Sequence, residues 1–195
     1  MADFEACQQF VLKMEGGLSD DVEDKGGLTK YGVSWAYLKD LEKSRPSLVR
    51  DILGVSVVTR SDIYNLTKQQ AAQFFKATFW TPYDIDTMPQ SVALCWYDCN
   101  VNHGAKNAAK ILQRACNRCD FTVPKLDVDG KPGPKTKTAL RHMGNADGIT
   151  AIADERQAFY DRIIANNPSQ RVFKKGWANR CNAMKKQAIA WIEED

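Results

Sequence analysis

The run Val92-Ala93-Leu94-Cys95-Trp96-Tyr97 is apolar on nearly every face of a helix, and such a helix is stable only where other elements surround it. Pro89 is placed to open it as a first-turn residue. The segment therefore predicts a helical body with this helix as its buried spine. After an interruption at Gly104, Ala108, Ala109, Ile111, Leu112 and Ala115 resume helical spacing up to Cys119. Phe121 to Gly133 reads as an irregular connection. Within it Asp127, Asp129 and Gly130 resemble half of a calcium loop but lack the closing glutamate, so the expected structure is a turn. Pro134 reads as the first residue of a helix carrying Thr138, Leu140 and Met143, and Asp147 as the cap of a long helix from Ile149 to Ile164. Further forward, Ser34 caps a helix through Trp35, Leu38 and Leu41, and Thr67 with Gln70 makes a capping box before Ala71, Phe74, Phe75 and Phe79. Pro46 and Pro82 mark boundaries.

The N-terminal segment carries the chemistry. Phe4, Cys7, Val11 and Met14 mark one face of a helix capped by Asp3, and Gly16-Gly17 supply the backbone freedom that ends it, so Glu15 falls in the last turn. The partial negative charge of a helix C-terminus disfavours a second negative charge there and drives the Glu15 pKa upward, the direction a general acid needs. Asp20, Asp21, Glu23 and Asp24 then form an acidic loop, followed by glycines at 26, 27 and 32 that read as turns of a hairpin over Leu28 to Val33, with Thr29 inside. Inverting hydrolysis of a glycosidic bond uses an acid and a water-activating carboxylate about 6.5 to 9.5 Å apart. The nine positions from Glu15 to Asp24 can span that gap.

Glu15-Gly16-Gly17, Asp24 and Gly26-Gly27-x-Thr29-x-x-Gly32-Val33 resemble the opening of the glycoside hydrolase family 108 endolysins, phage-type lysozymes. The likeness continues through Val101-Asn102-His103-Gly104, Leu112-Gln113-Arg114-Ala115 and Asp129-Gly130-Lys131-Pro132-Gly133-Pro134-Lys135-Thr136, in a half described as a peptidoglycan-binding segment. It also takes in Glu155-Arg156, Phe159-Tyr160 and Phe173-Lys174-Lys175-Gly176-Trp177-Ala178-Asn179-Arg180, so nearly the whole chain is covered. The resemblance implies Glu15 as general acid and Asp24 with Thr29 as the residues that hold and polarise water. Leu18 stands where an aromatic is usual in the family, and Leu28 where a small residue or proline is frequent. Tyr31, Asn102 and His103 are the expected substrate contacts: Tyr31 offers a ring for a sugar face, while His103 reads either as a lining residue or as a helix C-cap. Trp35 is expected in the core.

Composition agrees with that reading and excludes others. The 195 residues, 44% hydrophobic, can build a full core, and the net charge of +3 is too small to argue for nucleic acid. Residues 1–30 hold seven acidic and three basic side chains, whereas residues 106–142 hold nine basic and three acidic. A basic body suits a carboxylate-bearing polymer. Lys174, Lys175, Arg180, Lys185 and Lys186 extend the basic tendency, interleaved with Phe173, Trp177 and Trp191, which are expected in the core. Six cysteines follow a start without basic or apolar leader features, so the thiols are expected to stay reduced and pack as small hydrophobes. Cys116-Asn117-Arg118-Cys119 lacks the second ligand pair of a zinc site.

The expected molecule is mainly α (α+β), with a lysozyme-like fold. A small β-hairpin lobe at 16–33 faces a larger helical lobe across a substrate cleft. Residues 1–100 form the catalytic region, and 101–195 form a helical lobe with the peptidoglycan-binding segment, packed with it as one unit. The expected reaction is hydrolysis of the N-acetylmuramic acid to N-acetylglucosamine bond without metal or organic cofactor. Expected partners are peptidoglycan alone, with no nucleic acid, no membrane insertion and a monomeric state. The resemblance further implies synthesis in a host cytoplasm and action in the periplasm after holin-type release. The rivals are a lytic transglycosylase, against which Asp24 argues, and a wall-binding module without catalysis.

Overall fold

The computed structural model describes residues 1–14, 28–119 and 124–194. The fold is mainly helical: α1 (Phe4–Met14), a hairpin of β1 (Thr29–Lys30) and β2 (Val33–Ser34), then α2 (Trp35–Ser44), α3 (Pro46–Leu53), α4 (Arg60–Asn65), α5 (Lys68–Phe75), α6 (Gln90–His103), α7 (Ala105–Arg118), α8 (Pro134–Arg141), α9 (Ala146–Asn166) and α10 (Lys174–Glu194). These form two compact units, one of residues 8–78 and the other of 1–7 with 79–195.

In the unit of residues 8–78, the hairpin follows the expected turn chemistry. Thr29 pairs with Ser34 and Lys30 with Val33, leaving a two-residue turn at Tyr31 (φ 53°) and Gly32 (φ 79°). Two successive left-handed residues give the turn whose twist matches that of antiparallel strands. Gly32 adopts that conformation freely, whereas Tyr31 does so against its side chain. Leu28 and Val33 are buried, and Trp35 N–H donates to Leu28 O at 2.8 Å, which locks the hairpin to the start of α2. Ser34 caps α2, its hydroxyl accepting from Tyr37 N at 3.1 Å. The Thr67–Gln70 capping box forms at α5, whose Ala71, Phe74 and Phe75 are buried. α3 starts at Pro46 and ends at Gly54, whose φ of 73° closes it.

The second unit is built around α6. Every residue from Ser91 to Asn100 is buried, and α6 packs against α7, α9 and α10, so the helix apolar on all sides is the spine. Asp3 opens α1, its carboxylate accepting from Glu5 N at 2.8 Å. Phe4 packs edge-on against Trp80 and Tyr97 with centroids 5.3 and 5.5 Å away. Residues 124–133 carry no helix, and Asp129–Gly130 is a turn. Asp129 accepts from Lys131 N at 2.8 Å, and Gly130, at φ 79°, donates to Gln113 Oε1 at 3.0 Å. Pro134 does begin α8.

At the long helix the cap differs from expectation. Asn145, not Asp147, is the N-cap: its backbone is extended (φ −132°, ψ 169°) and its side chain accepts from Gly148 N. Asp147 lies in the first helical turn, where its charge favours the helix dipole without capping it. The six thiols behave as packing groups, five buried and Cys119 partly so. Burial drives the Cys95 thiol well above its ordinary pKa and the Cys99 thiol up to about 12.

Candidate active site

α1 is described through Met14. Glu15, Asp20, Asp21, Glu23, Asp24 and residues 16–27 of the hairpin lobe lie outside the described residues. Thr29, the remaining catalytic candidate, is half-buried in β1 opposite Ser34. Two residues on, Tyr31 occupies the turn with Lys30 Nζ 5.4 Å and Lys68 Nζ 5.9 Å from its ring centroid. Lys30 Nζ also donates to Tyr64 O at 2.6 Å. The ring that could lie against a sugar thus carries cations on its face. Trp35, half-buried rather than fully in the core, has Lys39 Nζ 5.5 Å from its ring.

Asn102 and His103 belong to the other unit, at the end of α6, and there they join a polar network that sequence reading did not find. Its centre is Asp98, fully buried among apolar neighbours. Arg156 Nη1 donates to Asp98 Oδ2 at 2.5 Å, and Arg180 donates to Oδ1 through Nε at 3.0 Å and Nη2 at 2.7 Å. Burial by itself raises the Asp98 pKa, yet the two guanidiniums outweigh it and hold the carboxyl below its ordinary value. Arg156 Nε then donates to His103 Nε2 at 3.1 Å and to the Tyr160 hydroxyl at 3.2 Å, and Tyr160 donates onward to Asn102 Oδ1 at 2.9 Å.

His103 accepts at Nε2, so its ring is neutral. Burial, followed by the adjacent Arg156 charge, lowers its pKa to about 3. The His103 ring is held by Arg156 through Nε2. Asn102, exposed, is oriented by Tyr160. The signal for the network was a single carboxylate directly after the apolar run Val92–Tyr97, since a buried charge needs a partner. Which arginines answer it depends on the packing of α9 and α10.

Around that network the aromatic side chains stack. His103 lies 5.0 Å from Phe159 and 5.1 Å from Tyr160, and Tyr160 stacks on Trp177 at 4.9 Å and 12°. Trp177 and Trp191 are half-buried rather than fully in the core. Phe173 departs further from the core expectation: it is 52% exposed and stacked on Trp177 at 5.7 Å, at the end of the turn Pro168–Phe173. Among the described residues no three His, Cys, Asp or Glu side chains gather as metal ligands.

Residues 8–104 match the family model described as glycosyl hydrolase 108. The chain belongs to the glycosyl hydrolase 108 family. Residues 107–182 match a second model, described as a predicted peptidoglycan domain. The fold is similar to the solved structure of Brucella abortus SagA, with a TM-score of 0.71 and 25% identity over 96% of this chain and 94% of that one. No curated protein matches the sequence. This family member is accordingly a lysozyme-like glycoside hydrolase with peptidoglycan as its substrate and partner.

Proposed function

We propose that this hydrolase is an N-acetylmuramidase, cleaving the β-1,4 bond between N-acetylmuramic acid and N-acetylglucosamine, and that it serves as a phage-type endolysin lysing a host cell. The observation that carries the reading is the glycosyl hydrolase 108 match over residues 8–104, because that range encloses Glu15, Asp24 and Thr29. In this reading Glu15 protonates the leaving oxygen, and Asp24 with Thr29 orients water at the anomeric carbon. Residues 1–100 supply the chemistry, and 101–195 supply the helical lobe that bears on the wall. Tyr31 supplies a ring for a sugar face. Asn102 meets the substrate with its amide, held in place by Tyr160, and His103 sits beside it as a neutral side chain. The enzyme acts as a monomer on peptidoglycan of the periplasm after holin-type release, without binding nucleic acid.

Glu15→Gln keeps the size and hydrogen-bonding shape of the side chain but removes its transferable proton. Its expected effect is loss of clearing of purified sacculi with an unchanged circular dichroism spectrum. Clearing at the wild-type rate would refute the role of Glu15.

A further inference from the structure

Between Asp161 and Glu193 the sequence has no acidic side chain and seven cations. Arg180 is spent internally on Asp98. Where the turn at Pro168–Phe173 runs into α10, the charge meets an apolar tip: Val172 is 79% exposed and Phe173 52%, flanked by exposed Arg171, Lys174 and Lys175. Phe173 rests on Trp177 and Trp177 on the buried Tyr160. Lys174 and Lys175 occupy the first turn of α10, where the helix dipole disfavours a cation, so their charges do not serve the helix.

We propose that this corner is a peripheral docking surface for an anionic phospholipid bilayer. Val172 and Phe173 enter the boundary between headgroups and acyl chains, and Arg171, Lys174 and Lys175 face the lipid phosphates. Charge complementarity selects an anionic partner, and the aliphatic side chain selects lipid among anionic partners. Val172 has no ring to stack on a sugar or a base and no polar atom to offer, whereas a bilayer interface rewards its removal from water. The attachment is superficial: among the described residues no helix is long and apolar enough to cross a membrane. It also weakens with salt, since juxtaposed surface charges act within about 10 Å. The proposal is independent of the assignment of Glu15.

The test is sedimentation of the full chain with vesicles of phosphatidylcholine, with and without phosphatidylglycerol. The wild type is expected to pellet with the mixed vesicles only. Partition should fall about thirty-fold in Lys174→Gln/Lys175→Gln and about fivefold in Val172→Ser. All three substituted side chains are exposed, so the folded spectrum should be retained. Equal pelleting with both vesicle types, or with neither, overturns the proposal. So does an unchanged vesicle partition in both variants accompanied by lost retention on lipid-free sacculi or on DNA, which would make the corner a wall-polymer or nucleic-acid surface.

Discussion

Asp98 is the residue on which the described part of the molecule depends most. Its buried carboxylate binds two guanidiniums, that of Arg156 fully buried, and removing one partner of such a group strands the others. Asp98→Asn is expected to cost about 3–5 kcal/mol in urea unfolding, whereas a loss under 1 kcal/mol would mean the arginines find water. The network also sets a pH dependence. His103 is neutral when folded down to about pH 3 but titrates near its ordinary pKa, about 6.5, when unfolded. The unfolded state therefore takes up the proton first, and the His103 contribution is fully present above that value and is lost as pH falls toward 3. The lowered Asp98 pKa acts in the same direction further down, its contribution disappearing below the ordinary carboxylate range. Unfolding free energy should drop by about 1.4 kcal/mol per pH unit on account of His103 between those limits. His103→Gln, which keeps an acceptor for Arg156, should flatten that slope, and an unchanged slope would remove His103 from the explanation.

At the scale of elements, close approach governs what glycine does at the start of α9. A Cβ on Gly148 would lie 2.3 Å from Met143 O, a backbone atom that cannot swing aside. Gly148→Ala should destabilise the fold by about 1–3 kcal/mol, read as a lower urea midpoint. Much at this scale was legible in advance. Ser34, the Thr67–Gln70 box, Pro134 and the apolar run Val92–Tyr97 of α6 state their roles in their own local chemistry. The Asn145 cap was missed because Asp147 is an equally good cap by residue type, and only backbone geometry chooses between them. Likewise the buried or exposed state of Phe173 depends on how the chain turns at Pro168, which spacing does not encode. Among the site residues, Thr29 and Tyr31 lie on a hairpin that glycine placement forecast. The tie of Asn102 and His103 to Tyr160 and Arg156 spans more than fifty positions and left no local trace.

Across the whole molecule, the two family matches do not follow the packing. The glycosyl hydrolase match ends at residue 104, and so contains α6, while most of α7 and all of α9 belong to the peptidoglycan match at 107–182. Yet α6 is covered by α7, α9 and α10, so cutting between the matches would expose Leu94, Trp96 and Tyr97, each worth about 1.5–3 kcal/mol when buried. A fragment of residues 1–104 is expected not to fold cooperatively, with a sigmoidal urea transition at wild-type stability as the contrary result. α6 therefore needs the helices of the second half to cover it, and the glycosidase the chain forms is tested at the bond it cuts. Sacculi digested in heavy-oxygen water and analysed by mass spectrometry should yield fragments whose muramic acid reducing ends each carry one heavy oxygen, and Glu15→Gln should yield none. Anhydromuramic ends without label, or labelled ends still produced by Glu15→Gln, would contradict hydrolysis through Glu15.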